Sequence, residues 1–125
     1  MPHTPKRVVP VAVDVTAASD GTVTITCDPN TADILKDTSH ALLVFTLNTS
    51  GYRFRTAKAI EMDEQVDDFP YASWTISDTQ AALFDRNKVA DTVGYTVTVV
   101  NTTTGQEYSV DPEIKNGGGG LGGDC

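Results

Sequence analysis

Apolar and polar side chains alternate at every second position over several stretches of this chain. The pattern is clearest at residues 95–100, Tyr-Thr-Val-Thr-Val-Val, and it returns at residues 106–110 after a Thr-rich turn that ends at Gly105. Successive side chains leave a strand on opposite sides, so this period indicates strands with one buried and one solvated face. Residues 95–110 therefore predict a β-hairpin.

The same period recurs near the start of the chain. Residues 8–15 place four valines on one face, and residues 22–27 alternate after the turn at residues 19–21. Pro10 cannot donate a backbone hydrogen bond, which favours a sheet edge or a bulge at that point. Residues 8–27 thus predict a strand, a turn and a second strand.

The middle of the chain continues in strands and loops. The most apolar run, residues 40–47, resembles a central strand covered on both faces, and with residues 52–57 it predicts a hairpin. Residues 71–76 also predict a strand, in which Ala72, Trp74 and Ile76 share a face. Two segments are each compatible with two structures. Residues 31–36 fit a helical turn or an irregular loop, and residues 77–84 fit a capped helical turn or a strand.

Strand-like segments spaced in this way, with Gly, Asn, Asp and Pro between them, are typical of β-sandwiches. We predict an all-β fold, an immunoglobulin-like antiparallel β-sandwich of about seven strands. The domain spans residues 8–116, between a flexible N-terminus at 1–7 and a flexible Gly-rich tail at 117–125. Its predicted core includes Val11, Val13, Val23, Ile25, Leu43, Phe45, Trp74, Val97 and Val99.

Charge and composition limit the kinds of partner that we expect this protein to bind. With 17 acidic and 9 basic residues the net charge is −8, which repels a phosphate backbone and disfavours nucleic acid. No stretch approaches the ~18 apolar residues of a membrane span, and the first residues are not followed by the apolar segment of a secretion signal. We therefore expect a cytoplasmic protein that binds neither nucleic acid nor membrane.

The two cysteines do not indicate a metal or redox site. Cys27 ends a strand pattern and Cys125 is the last residue, so no closely spaced pair exists. Cys125 could form an intermolecular disulfide, although a reduced terminal thiol is the favoured interpretation. No cofactor is predicted.

A short motif near the end of the chain carries a family resemblance. Residues 110–116 read Val-Asp-Pro-Glu-Ile-Lys-Asn, directly after the Tyr-x-Val-x-Val strand and the Thr-Gly turn, with a Trp strand and Asp85-Arg86-Asn87 ahead of them. This arrangement resembles the DP-EP family, a group of small bacterial immunoglobulin-like domains of unknown function. The resemblance covers most of residues 8–116. It implies a β-sandwich, and it supplies no catalytic or binding residue for this chain.

An acidic segment is the candidate metal site. It offers four carboxylates within six residues, as calcium requires: Asp63, Glu64, Asp67 and Asp68. The segment lacks the Asp-x-Asp-x-Asp-Gly spacing of a recognisable calcium loop. The alternative interpretation, which we favour, is an exposed solubilising loop that also discourages pairing between sheet edges.

Catalytic groups are scarce. His3 and His40 are the two histidines, and His3 lies in the predicted flexible N-terminus. A Ser-His-Asp set can be assembled from Ser39, His40 and any of several acids, but so many Ser and Asp residues make such a match expected by chance. We predict that the protein is not an enzyme.

Aromatic residues form the candidate ligand site. Tyr71, Trp74, Tyr52 and Tyr108 could stack on a sugar or another planar ligand. A lone Trp on an alternating strand is more often part of the core, whereas Tyr71 has the opposite parity and is the better candidate for exposure.

The functional expectation follows from these absences and from the predicted sheets. We expect an interaction or assembly module that uses sheet edges or a sheet face to form a homo-oligomer or to dock a protein partner. The alternative is a small-ligand module of carbohydrate-binding type with an accessory calcium site.

Overall fold

The computed structural model describes residues 7–35, 41–64, 67–69, 71–88 and 90–118. These residues form eleven strands, and none of them lies in a helix that could cross a membrane. The strands are β1 (Arg7–Ala17), β2 (Val23–Asp28), β3 (Thr31–Leu35), β4 (Ala41–Leu47), β5 (Tyr52–Phe54), β6 (Ile60–Met62), β7 (Trp74–Ser77), β8 (Gln80–Asp85), β9 (Asp91–Asn101), β10 (Glu107–Val110) and β11 (Glu113–Gly118). The strands thus begin one residue before and end two residues after the predicted domain bounds.

The strands form two mixed sheets. The five-stranded sheet has the order β2-β1-β4-β8-β7. In the six-stranded sheet, β10 and β11 pair with successive parts of one edge of β9, β3 pairs with β11, and β5 and β6 pair with the other edge of β9. The predicted all-β fold is confirmed, but β1 pairs with β4 and β3 with β11 in parallel, so the sheets are not purely antiparallel. The immunoglobulin-like subclass stays a prediction.

Short interruptions account for the larger number of strands. The predicted hairpin of residues 40–47 and 52–57 is wrong, because β4 lies in the five-stranded sheet whereas β5 pairs with β9 of the other sheet. The second predicted strand ends at Phe54, β6 follows outside it, and the C-terminal part of the chain divides into β10 and β11 at Asp111-Pro112. Residues 31–36, predicted as a turn or loop, supply β3, whose Ala32 and Ile34 are buried. Pro10 lies in β1 beyond Ala12, the last position that β2 pairs, so β1 is locally a sheet edge there as expected.

One hydrophobic core lies between the sheets. Inward side chains of the five-stranded sheet meet those of the six-stranded sheet, as where the rings of Phe45 and Tyr95 pack edge to face with centroids 5.6 Å apart. Fully burying one such side chain stabilises the fold by roughly 1.5–3 kcal/mol. Seven predicted core residues are buried: Val11, Val13, Ile25, Leu43, Phe45, Val97 and Val99.

Two other predicted core residues differ. Val23 is only partly buried at the margin of the core. The core assignment of Trp74 is wrong, because its side chain is 45% exposed. Trp74 pairs with Ala82, which is outward in β8, and β7 is the edge strand of its sheet.

Candidate functional site: the outer face of the five-stranded sheet

Apolar residues occupy two adjacent rows across the outer face of the five-stranded sheet. The strand registers place Pro10, Val44, Ala82 and Trp74 in one row. They place Val8, Leu42 and Phe84 in the next row. We call these seven residues, together with Tyr71, the apolar face.

Much of the apolar face is accessible to solvent. Val8 is 60% exposed and Tyr71 is 64% exposed, Leu42, Val44 and Phe84 are half-buried, and Ala82 is covered by its neighbours and has no exposed surface. The Tyr71 ring lies against that of Phe84, with centroids 5.9 Å apart, and so extends the patch beyond the strands. Contiguous exposed apolar surface of this kind commonly marks an interaction site.

The face turns polar towards β2. The row after Pro10 and Val44 contains Ala12, Thr46 and Gln80. Beyond it the outward positions of β2 are exposed polar residues, Thr24, Thr26 and Asp28. The apolar face is therefore bounded within its own sheet.

The outer face of the six-stranded sheet is charged instead. Arg55 crosses it, pairing with Glu107 at 3.2 Å and with Glu61 at 3.7 Å. Glu113 and Lys115 occupy outward positions of β11, opposite Gly94 and Thr92 of β9. The apolar face thus differs sharply in charge from the outer face of the six-stranded sheet.

The structure separates the four predicted ligand-binding aromatics into two pairs. Tyr71 and Trp74 are both exposed, Trp74 as the first residue of β7 and Tyr71 three residues before it. The exposure of Tyr71 is as expected, but the parity argument behind it is wrong, because it assumed that Trp74 points into the core. Tyr52 and Tyr108 pack against each other, with centroids 6.4 Å apart, and both are partly buried against the core. These four rings do not form one stacking platform.

Tyr71 and Trp74 also border a cleft between the edge strands β6 and β7. It has a volume of about 610 Å³, and its lining includes Ile60, Phe69 and Leu83. Lys58 and Glu61 supply the charged groups of the lining. The cleft falls within the ~300–1,000 Å³ of small-ligand sites.

The acidic segment does not converge on one point. Asp63 Oδ1 lies 3.0 Å from the hydroxyl of Thr96, which is also 2.9 Å from Asp111 Oδ1. Glu64 and Asp67 are exposed, whereas Asp68 is buried elsewhere. Among the described residues no three His, Cys, Asp or Glu side chains could together hold a metal ion. The calcium prediction gains no support from this arrangement.

Asp68 instead belongs to a buried polar cluster that sequence reasoning missed. The side-chain amide nitrogen of Asn116 donates to Asp85 Oδ1 at 2.9 Å and to Asp68 Oδ2 at 3.2 Å. The backbone N–H of Asn87 donates to Asp85 Oδ1 at 2.8 Å, and the Asn87 side-chain oxygen accepts from the Gly117 N–H. The cluster ties the end of β11 to the end of β8.

Asp85 is the most buried member of this cluster. Its side chain has no exposed surface. Among the described residues, Asp85 Oδ2 has no hydrogen-bond partner, and Asn116 Oδ1 has none either. Burial is the main cause that raises the Asp85 pKa from 3.8 to about 6, with a further contribution from the nearby charge of Asp68. Because Ala82 and Phe84 are as apolar as Ala81 and Leu83, the sequence pattern gave no signal that Asp85 points inward.

Other predicted groups carry no site. Cys27 is a free, buried thiol whose pKa burial raises to about 11, which makes it unreactive as a nucleophile. His3, Ser39, His40 and Cys125 lie outside the described residues. The non-enzymatic assignment stays a prediction.

No protein-family model matches the chain, and no curated protein matches it significantly. The resemblance to the DP-EP family therefore stays a prediction, and the function has to be argued from the surface itself.

Proposed function

We propose that this domain is a non-enzymatic assembly module that forms a homo-oligomer through its apolar face. The observation that carries the proposal is the register that aligns Pro10, Val44, Ala82 and Trp74 beside Val8, Leu42 and Phe84. Burying this surface against a second copy removes apolar area from water, which contributes about 25 cal/mol for each Å².

Charge favours a second copy as the occupant. None of the residues of the apolar face is charged, although the chain carries a net charge of −8. Two copies packed through these faces hold the outer faces of their six-stranded sheets, with Glu61, Glu107 and Glu113, on opposite sides of the assembly. The contact itself then buries no like charges, and apolar patches of this type are enriched in homodimer interfaces.

Symmetry is compatible with the same arrangement. A two-fold axis through the face brings each row against the corresponding surface of the partner, which is the commonest closed symmetry of homo-oligomers. Pro10 and the exposed rings of Tyr71 and Trp74 add rigid apolar surface that loses little side-chain entropy on association.

The test places a charge in the middle of the apolar face. Val44→Glu puts a carboxylate between Pro10 and Ala82, so we expect a monomer where the wild-type chain is an oligomer. Thr26→Glu is the matched control, because it adds the same charge on the polar part of the same sheet and should leave the oligomer intact. Sedimentation velocity of the three proteins decides the point, and an unchanged oligomer in Val44→Glu would contradict the proposal.

The proposal also includes a cellular location and a second function. A cytoplasmic location agrees with the free thiol of Cys27. The cleft between β6 and β7 favours small-ligand binding as a second function of the same domain.

A further inference from the structure

The cleft between β6 and β7 has an apolar floor and aromatic walls. Ile60, Phe69 and Leu83 are at most 3% exposed and form its base, while Tyr71 and Trp74 stand at its border. A group that enters the cleft therefore meets aliphatic and aromatic carbon on several sides. Such a surface favours an apolar ligand group of matching size.

Two hydroxyl groups of the lining already have hydrogen-bond partners. Ser73 Oγ donates to the carbonyl of Ile60, and Thr75 Oγ1 lies 3.3 Å from the carbonyls of Arg55 and Thr56. A ligand rich in hydroxyls would leave several of them without partners over the apolar floor, which costs free energy. This argues against a carbohydrate and for a ligand with one polar end.

Lys58 supplies the charged group at the rim. Its backbone has φ +58, a left-handed conformation that side-chain-bearing residues rarely adopt. Arg55 holds this turn, because its guanidinium donates to the carbonyl of Ala57 at 2.8 Å and to that of Lys58 at 2.9 Å. Backbone strain that the surroundings maintain in this way occurs preferentially at ligand-binding sites.

The charge of Lys58 is not compensated within the cleft. Glu61, the other charged residue of the lining, is paired with Arg55, and no ion pair among the described residues contains Lys58. A carboxylate is the complementary partner for an ammonium group beside an apolar surface.

We propose that this cleft binds a small amphipathic carboxylate, with its apolar group on Ile60, Phe69 and Leu83 and its carboxylate paired with Lys58. The site differs from the apolar face, because Lys58 and the floor residues take no part in that surface. Tyr71 and Trp74 lie where the two surfaces meet.

Phenylpropionate and its alcohol, phenylpropanol, are the probes for this proposal. The emission of Trp74, the single tryptophan of the chain, reports on the wall of the cleft. We expect phenylpropionate to shift this emission at millimolar concentration and to bind about fivefold more tightly than the alcohol, the size of a partly exposed ion pair.

Lys58→Met keeps the apolar stem and removes the charge, so it should abolish the preference for the acid. Lys115→Met, on the outer face of the six-stranded sheet, is the matched control and should preserve it. The titrations are repeated in the Val44→Glu chain, which should bind the acid as the wild type does; this separates the cleft from the oligomer. Equal binding of acid and alcohol to the wild type, an undiminished preference in Lys58→Met, or no emission change with either probe would overturn the proposal.

Discussion

Replacing Asp85 by Asn should make the domain more stable at neutral and alkaline pH. In the native structure Asp85 is fully buried, and its Oδ1 already accepts hydrogen bonds from Asn116 and from the backbone of Asn87. Asn has the same shape and can accept the same two bonds. Its amide nitrogen would take the position of Oδ2, which has no hydrogen-bond partner among the described residues, so the gain comes from removing the buried negative charge and not from a new hydrogen bond.

The magnitude follows from the pKa. The Asp85 pKa is raised from 3.8 to about 6 in the folded protein, and each pKa unit corresponds to about 1.4 kcal/mol. A folded pKa above the unfolded one means that the folded state binds the proton more tightly, so the stability contribution is present below pH 4 and is lost as pH rises through about 6. Above that pH the ionised carboxylate leaves the wild type less stable by at most about 3 kcal/mol.

Urea unfolding of both proteins across this pH range is the assay. The difference in unfolding free energy between Asp85→Asn and the wild type should be small near pH 4 and should grow to about 2–3 kcal/mol in favour of the variant near pH 8. Asp67→Asn is the control, because Asp67 is exposed and its replacement should change stability by less than about 0.5 kcal/mol. A variant less stable than the wild type near pH 8 would show that the cluster needs the negative charge, and would refute the reasoning.

Three further predictions concern Gly117 in β11, Trp74 in the edge strand β7 and the core thiol of Cys27. Gly117→Ala should lower the free energy of unfolding in urea by about 1–3 kcal/mol, because the φ of Gly117 is +68 and an added Cβ would lie 2.9 Å from the backbone of Ala90. Gly105→Ala is the control and should cost less, because Gly105 has φ +76 but open space around the added Cβ. Equal costs of the two substitutions would contradict this. Trp74→Ala should lower the free energy of unfolding of the monomer by well under the roughly 3–5 kcal/mol expected for a buried ring. A loss of about 3–5 kcal/mol would instead show that the Trp74 ring is part of the core. In a Cys125→Ser chain, Cys27 should react with a thiol reagent only in denaturant, since its pKa is raised to about 11, and fast native labelling would contradict its burial.

Period-two alternation predicted the strands and most of the inward positions, because burial of one face is a local property of a strand. Leu43 and Phe45 in β4, and Val97 and Val99 in β9, lie inward as expected. The same rule failed where both faces are apolar. In residues 81–84, Ala-Ala-Leu-Phe, nothing in the composition distinguishes the inward from the outward side chains.

The apolar face depends on pairing between distant strands, and a single sequence does not specify that pairing. The apolar run of β4 was interpreted as covered on both sides, yet Leu42 and Val44 point outward beside Val8 and Pro10. Trp74 lies on the same face, because its partner in β8 is Ala82. A shift of one residue in either register would have moved these side chains to the opposite face.

The buried cluster was equally beyond local reasoning. Asp68, Asp85 and Asn116 come from three separate parts of the chain. Asn87 and Asn116, the two Asn residues of the cluster, are uncharged, so a charge pattern does not reveal them. Asp68 was grouped with its sequence neighbour Asp67 in an exposed loop, whereas tertiary contacts place it beside Asn116.

The central claim, that the apolar face drives self-association, is tested most directly by size exclusion with light scattering at two protein concentrations, with and without reductant. We expect an oligomer whose mass is unchanged by reductant and whose population increases with concentration. A monomer at both concentrations, or a dimer that reductant abolishes because Cys125 had linked the chains, would contradict it.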